Sequence, residues 1–215
     1  ALASLVPPGS VVADIGTDHA LLPVYLVQSG RSPRCYGTDI ADGPLKRAAG
    51  TVAAYHLDSR VTLRKSDGLR DIPPAVMTDV DTLLIAGMGG ETIVDILSAA
   101  PAASLEGKRL ILQPMSSVEE LHRYLYRQGF RWEREIALSD HAHLYLAMVV
   151  VPGGSPAVPT PLQVLLGELP LDRQPETTAY LLRQRRRLER LLNGLRQAAR
   201  QDPPAIAETT RLLSD

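Results

Sequence analysis

Acidic residues stand near the ends of three consecutive apolar segments in the first third of the chain. Asp14 is followed by Gly16, Asp39 ends the next segment, and the pair Asp67-Gly68 follows the third. If these segments are parallel strands, their carboxyl ends share one edge of a sheet, and ligands of such sheets bind at that edge. A carboxylate after the second strand can accept both hydroxyls of a ribose. An acid after the third can hold the amine of an adenine.

The residues around Gly16 indicate which cofactor would suit this edge. The dinucleotide fingerprint GxGxxG is absent, and Gly16 is a single glycine between strand and helix. The motif therefore disfavours a pyrophosphate cradle. A hydroxyl-rich cofactor with a cationic centre and an ammonium group suits Asp14 better. A plain tight turn, in which Asp14 caps the following helix, is the alternative.

A glycine-rich stretch follows the fourth apolar segment and reads Ala86-Gly87-Met88-Gly89-Gly90. Three glycines in four residues are conformationally costly, so we expect the backbone to approach a ligand closely there. The alternative is a tight turn from strand to helix. We count Gly87 and Gly89 among the candidate cofactor contacts.

Positioning these residues requires an α/β fold. Short apolar runs alternate with amphipathic stretches, which is typical of a parallel sheet covered by helices on both faces. The predicted strands are residues 10–15, 34–38, 61–65, 81–86 and 108–112, followed by a closing pair at 132–138 and 143–151 around a turn at Asp140. The predicted helices are residues 19–28, 43–56, 92–97 and 118–128.

A stretch rich in proline and glycine, PGGSPAVPTP at residues 152–161, divides the chain because it cannot continue a strand or a helix. We predict a first domain over residues 1–152, a linker and connection over 153–170, and a C-terminal helical domain over 171–215. That domain should contain a helix over residues 178–200, whose apolar face is formed by Leu181, Leu188, Leu191, Leu192, Leu195 and Ala199. A second apolar stripe, made by Ile206, Thr209 and Leu213, predicts that an antiparallel helical hairpin forms.

The long C-terminal helix carries most of the chain's excess of arginine. The whole chain has 23 Lys+Arg and 24 Asp+Glu, but residues 171–215 carry 9 basic and 6 acidic side chains. Such a surface binds phosphates without reading base sequence, and a solvated helix face is the alternative. The candidate RNA contacts are Arg183, Arg185, Arg186, Arg187 and Arg190, with Arg196 and Arg200 further along and only Glu189 opposing them.

Composition excludes several classes of protein. With 215 residues, 45% of them hydrophobic, the chain can bury a core and is not a disordered protein. Its longest apolar run, residues 144–151, is far shorter than the roughly 20 residues of a membrane span. The single cysteine, Cys35, excludes an internal disulfide framework and suits a reducing cytoplasm. The five histidines do not cluster with cysteines, so we expect no metal.

Four motifs together resemble the bacterial tRNA (adenine-22-N1)-methyltransferase family. They are GTDHALLP at residues 16–23, DGP at 42–44, IAGMGG at 85–90 and LILQP at 110–114. The resemblance implies a class I methyltransferase domain with a Rossmann-like sheet, followed by a helical, coiled-coil-like C-terminal domain. It also implies S-adenosylmethionine as cofactor and tRNA as partner. The implied cofactor contacts are Asp14, Gly16, Asp39, Asp67, Gly68 and Gly87.

Two positions depart from that family's pattern, which often has an aromatic residue in place of Leu21 and an asparagine in place of Met115. If the family's aromatic ring stacks on the target base, Leu21 gives only an apolar contact. Base stacking is worth roughly 1–3 kcal/mol. Leu21 would therefore bind a base less tightly than an aromatic residue at that position.

The implied reaction needs little acid–base chemistry before methyl transfer. Adenine N1 keeps an in-plane lone pair at neutral pH, so alignment in a site cleared of water can lower most of the barrier. We expect Asp18 to stabilise the positive charge that develops on the base. We expect His19 to assist it or merely to cap the helix, and Gln113 to hydrogen-bond the adenine edge.

Two other functions stay open at this point. One is methylation of another RNA or a small molecule by the same cofactor, and the other is a catalytically silent tRNA-binding protein of the same fold. The target adenine must be unpaired or flipped out to be reached, at a cost of a few kcal/mol. We also expect a cytoplasmic protein that is a monomer or a weak dimer.

Overall fold

The structure is a computed structural model that describes residues 2–141, 143–198 and 202–214. Within these ranges seven strands form one sheet: β1 Val12–Ile15, β2 Cys35–Asp39, β3 Val61–Lys65, β4 Thr82–Gly89, β5 Arg109–Ser116, β6 Arg131–Asp140 and β7 His143–Val151. The strand order across the sheet is β3-β2-β1-β4-β5-β7-β6. Neighbours pair in parallel except β7, which runs antiparallel to both β5 and β6. The predicted α/β sheet is confirmed.

The direction in which strands are added reverses between β1 and β4, which lie side by side in the centre. Strands β2 and β3 lie on one side of this pair, and β5 to β7 lie on the other. The paired residues of β1 and β4 are buried, because helices cover both faces of the sheet there. A crevice at the carboxyl ends of β1 and β4 follows from this reversal.

Helices α1 (Leu21–Gln28) and α2 (Asp42–Ala54) cover one face of the sheet. Helices α3 (Pro74–Asp79), α4 (Gly90–Ser98) and α6 (Val118–Arg127) cover the other face, and the short helix α5 (Ala102–Leu105) leads into β5. Each face has its own apolar core, since side chains of a strand alternate between the two. The carboxyl ends of the strands, where the acids lie, are therefore packed between helices on the two faces of the sheet.

Several boundaries differ from the sequence prediction for physical reasons. Helix α1 begins at Leu21 rather than at His19, because Asp18 and Ala20 both have left-handed backbone, with φ of 45° and 55°. Strand β4 continues beyond Ala86 to Gly89, since it stays paired with β5 through two irregularities in register. Helices α3 and α5 are too short, at 6 and 4 residues, for a periodic pattern to reveal them.

The residues between β7 and the C-terminal helices, 152–174, are called the connecting segment below. Its first nine residues form neither helix nor strand, as predicted, yet they are bound to the end of α6. The N–H of Gly154 donates to the carbonyl of Gly129 at 2.7 Å, and the N–H of Ala157 donates to that of Tyr126 at 2.9 Å. The connecting segment also contains helix α7 (Pro161–Leu166), which begins with a capping box of Thr160 and Gln163.

Helix α8 (Pro175–Gln197) packs across the outer strands β6 and β7. Tyr180 is fully buried in the core on the α6 side of the sheet, and Arg183 Nη1 donates to the carbonyl of Leu144 at 2.8 Å. Helix α9 (Pro203–Ser214) returns antiparallel along α8, as predicted. Ala199 and Arg200, which the predicted helix includes, lie outside the described residues. The domain division at residues 152 and 171 stays a prediction.

One aromatic pair lies where α6, β6 and the connecting segment meet. The rings of Tyr126 and Trp132 stack with their centroids 4.4 Å apart. The Tyr126 hydroxyl donates to Glu168 of the connecting segment. The chain's single tryptophan therefore lies next to the connecting segment.

Candidate active site

The loop from Gly16 to Ala20 joins β1 to α1 and is fastened to the end of β2. The N–H groups of Gly16 and Thr17 both donate to the carbonyl of Thr38 at 2.8 Å. Gly16 has a φ of 76°, and a Cβ there would collide with the Met88 side chain. The left-handed backbone of this turn favours glycine at position 16, whereas the flexible end of the Met88 side chain could move to admit a Cβ.

Asp14 lies within β1, and its side chain is buried. Its Oδ2 accepts a hydrogen bond from Thr17 Oγ1 at 2.7 Å. Burial raises the pKa of Asp14 to about 6, although the hydrogen bond from Thr17 lowers it. The N-terminus of α1 has no side-chain cap, so Asp14 is not the helix cap that the alternative interpretation required. A cationic ligand group beside Asp14 would stabilise its charged form.

Asp39 and Asp67 follow the two strands next to β1. Asp39 ends β2, and its Oδ1 accepts from the N–H of Ala41 at 3.0 Å, while Oδ2 has no hydrogen bond to a described residue. Asp67 lies just beyond β3 and forms an ion pair with Arg70. The carbonyl of Asp39 also accepts from the N–H of Ser66, so the two strand ends are joined. The structure thus brings these acids to one edge, as the parallel order requires.

The glycines at the end of β4 have different structural roles. Gly87 has a φ of 76°, and a Cβ there would point into open space. Gly90 instead begins α4 where a Cβ would collide with the backbone of Ser117, and a Cβ on Gly89 would lie 3.3 Å from Ser116 Oγ. The close approach at Gly90 is therefore to the protein's own β5–α6 loop rather than to a ligand. The cofactor contacts of Gly87 and Gly89 stay predictions.

Asp18 and His19 lie in the β1–α1 loop, half exposed. Asp18 Oδ1 accepts from Arg47 Nη2 of α2 at 2.8 Å, and Asp18 Oδ2 lies 3.5 Å from His19 Nε2. Asp18 would have to leave Arg47, or share it, to face a charged base. His19 does not cap α1, whose N-cap is Ala20.

Gln113 joins the glycine turn to a cavity beside the sheet. It is buried in β5, and its Oε1 accepts from the N–H of Gly87 at 3.1 Å, which fixes the orientation of the amide. Its Nε2 donates to the carbonyl of Pro114 at 3.1 Å. The cavity of about 860 Å³ is lined by Gln113 together with Leu21, Tyr25, Leu138 and Tyr145, among others. Asp14, Asp39 and Asp67 do not line it.

The five arginines of α8 that are candidate RNA contacts fall into three groups. Arg183 and Arg187 face the sheet side of the helix, where they bind the carbonyl of Leu144 and the carboxylate of Glu119. Arg185 forms an ion pair with Glu189 at 3.0 Å along the helix. Arg186 and Arg190 are exposed and form no ion pair with any described residue, so they are the cations left for an outside partner.

The sequence did not predict the cavity beside Gln113 or the ion pair that orients Asp18. Leu21 and Tyr25 lie one turn apart on α1, so their common face could be found from helical spacing. Tyr145 of β7 and the Arg47–Asp18 pair depend on contacts between distant segments, which no local pattern reveals.

Other kinds of site receive no support from the structure. In the described parts of the chain, no three His, Cys, Asp or Glu side chains come together as a metal site. No described helix is both long enough and apolar enough to cross a bilayer.

The strand order, the acids at the ends of β1 to β3 and the glycine turn after β1 define a Rossmann-like methyltransferase. Residues 1–148 match the family described as "Methyltransferase domain", and the chain belongs to that family.

Curated and solved relatives give a more detailed comparison. The chain is 34% identical over 152 residues to the tRNA (adenine(22)-N(1))-methyltransferase of Bacillus subtilis, an alignment that covers 71% of this chain and 63% of that protein. The chain therefore spans less than two thirds of that relative's length.

Two solved structures cover nearly the whole chain. The m1A22 tRNA methyltransferase TrmK of B. subtilis has a TM-score of 0.80, 26% identity, and coverage of 99% of this chain and 92% of its own. A putative tRNA (m1A22) methyltransferase of Streptococcus pneumoniae, in complex with S-adenosyl-L-methionine, has a TM-score of 0.81, 28% identity, and coverage of 99% and 96%.

Proposed function

We propose that this protein transfers a methyl group from S-adenosylmethionine to N1 of adenine 22 in tRNA. The observation that carries the proposal is the similarity, over 99% of the chain, to the B. subtilis m1A22 tRNA methyltransferase and to the putative tRNA (m1A22) methyltransferase solved with S-adenosyl-L-methionine. The similarity includes the C-terminal helices as well as the sheet, which favours a shared substrate over a shared fold alone.

The residues at the sheet edge fit this cofactor. Oδ2 of Asp39, which has no hydrogen bond to the described part of the chain, can accept from ribose hydroxyls, and the buried carboxyl of Asp14 suits a ligand with cationic groups. The backbone of Gly87 has open space beside it. The turn at Gly16 brings the loop between β1 and α1 close to the end of β2. Asp67, with Gly68 next to it, is proposed to accept from the adenine amine, which requires Arg70 to move aside. When bound, S-adenosylmethionine supplies an electrophilic methyl group.

The target base is proposed to enter the cavity beside Gln113. The Gln113 amide is fixed, because its Oε1 accepts from Gly87 and its Nε2 donates to the carbonyl of Pro114 and to Met115 Sδ. Its proposed contact with the base is the second lone pair of Oε1, which can accept from the adenine amine. Tyr25, Leu21 and Tyr145 give the cavity apolar surfaces on which a planar base can pack. Leu21 and Tyr25 are more than half exposed, so a bound base would itself displace water from them. Adenine N1 needs no proton removed before it attacks. Asp18 is the carboxylate proposed to stabilise the charge on the methylated base and to accept its N6 proton.

The exposed arginines Arg186 and Arg190 are proposed to bind tRNA phosphates. The other candidates, Arg183, Arg185 and Arg187, are proposed to act mainly by holding and shaping α8. A tRNA substrate implies a protein that works in the cytoplasm, and we propose a monomer or a weak dimer.

The test is transfer of a tritiated methyl group to an unmodified tRNA transcript, followed by nuclease digestion to locate the label. The proposal predicts label at N1 of adenine 22. A transcript that carries guanine at position 22 is the matched control and should take up none. Tight tRNA binding without transfer would support a silent binding protein instead, and equal labelling of the control transcript would point to another target.

A further inference from the structure

Two buried titratable side chains, His122 of α6 and Glu135 of β6, have no part in the proposed reaction. Their relative exposures are 0% and 2%, and His122 Nε2 lies 2.9 Å from Glu135 Oε1. The other ring nitrogen, Nδ1, lies 2.8 Å from the carbonyl of Val164 in α7. The other carboxylate oxygen, Oε2, accepts from the N–H of Glu168 at 2.6 Å. Both side chains therefore bind α6 and β6 to the connecting segment.

The hydrogen-bond partners determine where the protons must be. The carbonyl of Val164 can only accept, so Nδ1 of His122 carries a proton and donates it. Oε2 of Glu135 accepts from a backbone N–H, so it carries none. One further proton must then lie between Nε2 and Oε1. If it leaves, a lone pair on Nε2 faces a buried carboxylate, and the contact becomes repulsive.

The connecting segment is shaped to meet this pair. Gly167, directly after α7, has a φ of 62°, and a Cβ there would collide with Glu135 Oε2. Because the backbone passes so close to the carboxylate, Glu168 can present its N–H to it. Helix α8 begins seven residues after Glu168, so the placement of the connecting segment sets where α8 starts.

We propose that the proton shared by His122 and Glu135 holds the connecting segment, and with it α8, on the sheet, so that tRNA binding depends on this proton. The second half rests on the proposed function, and the first does not. His122 and Glu135 are positioning residues, since they act on RNA only through α8.

The titratable and charged groups around the pair come from α6, the connecting segment and α8. On α6 these are Glu119 and the hydroxyl of Tyr126, and in the connecting segment Glu168. Helix α8 contributes Arg187, which pairs with Glu119, and the buried Tyr180. Acidic groups therefore outnumber cations near His122, which favours its protonated form.

The pH dependence follows from the direction of the shift. Burial lowers the pKa of His122, but the hydrogen bond and charge of Glu135 outweigh this and raise it above the ordinary value. For a histidine with a raised pKa, the stabilisation is fully present below its unfolded value and is lost as pH rises through its folded value. The connecting segment should therefore loosen on the alkaline side.

The test uses Glu135→Gln, which keeps every hydrogen bond without the titrating proton. The glutamine Nε2 donates to neutral His122, and its oxygen accepts from Glu168. Hydrogen exchange at the Glu168 amide, corrected for intrinsic rates, is measured from pH 6 to 10. Protection should fall with rising pH in the natural protein and stay level in the glutamine variant. His122→Ala should lose protection at every pH.

The second readout is the tRNA KM, which should rise roughly tenfold across the same transition in the natural protein. The tRNA KM should stay flat in Glu135→Gln, and the cofactor affinity of this variant should equal that of the natural protein at each pH. The control is His56→Asn, an exposed histidine at the end of α2, which should retain the natural profile.

An unchanged pH midpoint in Glu135→Gln would overturn the proposal, even if His122→Ala does not fold. The exchange measurement decides the first half of the proposal whether or not the chain methylates RNA. A protein that transfers no methyl group but shows the predicted exchange profiles would fail the proposed function alone.

Discussion

The acids of the sheet edge differ in what already balances their charge. Asp18 faces Arg47, and Asp67 faces Arg70, so each has a basic partner before any ligand binds. Asp14 and Asp39 form no ion pair with a described residue. Among the predicted contacts, these two should therefore gain most from a cofactor that carries hydroxyl donors and cationic groups.

The first prediction concerns Asp39→Ala. Loss of a carboxylate that accepts ribose hydroxyls removes hydrogen bonds to a charged group, about 1.5–3 kcal/mol, so the cofactor Kd should rise roughly tenfold to a hundredfold. Titration calorimetry gives the affinity. Asp42→Ala is the matched control, because Asp42 is an exposed acid three residues away that pairs with Lys65. Equal affinity for the natural protein and Asp39→Ala would remove Asp39 from the site.

The second prediction concerns pH and Asp14. Its pKa of about 6 means that the side chain becomes mostly protonated below that pH. A neutral acid attracts a cationic ligand less, so cofactor affinity should fall as pH drops from 7 to 5, and binding in that range should release protons. Calorimetry in buffers of different ionisation enthalpy measures the released protons. In Asp14→Asn the affinity should be weak and its slope in this range should be absent; a persisting slope would assign the titration to another group.

At the scale of elements, the start of α4 is fixed by its approach to the β5–α6 loop. Gly90 lies against the backbone of Ser117, so the position cannot accept a side chain without a shift of one element. This contact keeps the glycine turn of β4 next to β5, where Gly87 reaches Gln113. The sequence shows that residue 90 is a glycine but not that the backbone of Ser117 packs against it.

The third prediction compares two glycine substitutions inside helices. Gly90→Ala should destabilise the protein by about 1–3 kcal/mol, because the new methyl group overlaps a backbone carbonyl. Gly50→Ala in α2 should stabilise it by about 0.5–1 kcal/mol, since a Cβ there meets nothing within 4 Å and alanine favours the helix. Denaturant unfolding measures both. A Gly90→Ala protein as stable as Gly50→Ala would contradict the tight contact.

The fourth prediction concerns the outer face of α8. Arg186→Ser with Arg190→Ser should weaken tRNA binding and lower the slope of log K against log salt by roughly 0.7 to 0.9 for each phosphate that the variant no longer neutralises. The thermal midpoint should change little, because neither side chain forms an ion pair with a described residue. Arg60→Ser with Arg64→Ser, at two exposed arginines just before and within β3, is the control for net charge. An unaltered slope in the double variant would place the RNA elsewhere.

At the scale of the whole molecule, the sequence predicts what depends on neighbouring residues and misses what depends on tertiary contacts. Strand β3 is found at its predicted bounds, Val61–Lys65, since alternation and turn residues mark both ends. Strand β4 runs past its predicted end because pairing with β5 continues through the glycines.

The buried face of helix α8 was also only partly predicted from the sequence. Leu188 and Leu192 are buried as predicted, whereas Leu191 is 50% exposed, and Tyr180 and Gln184 complete the buried stripe. The acids of the site could be predicted because each lies at the end of a strand or within two residues of it. Their ion pairs with Arg47 and Arg70, the cavity beside Gln113 and the buried pair His122–Glu135 depend on how segments far apart in sequence meet.

The placement of Trp132 gives the molecule an intrinsic optical reporter. Its indole is the chain's single one and stacks on Tyr126, whose hydroxyl reaches Glu168. Separation of residues 152–174 from α6 would admit water to the ring and move its emission to longer wavelength. Fluorescence spectra of the unlabelled protein can therefore report whether the C-terminal helices stay packed on the sheet while RNA is added.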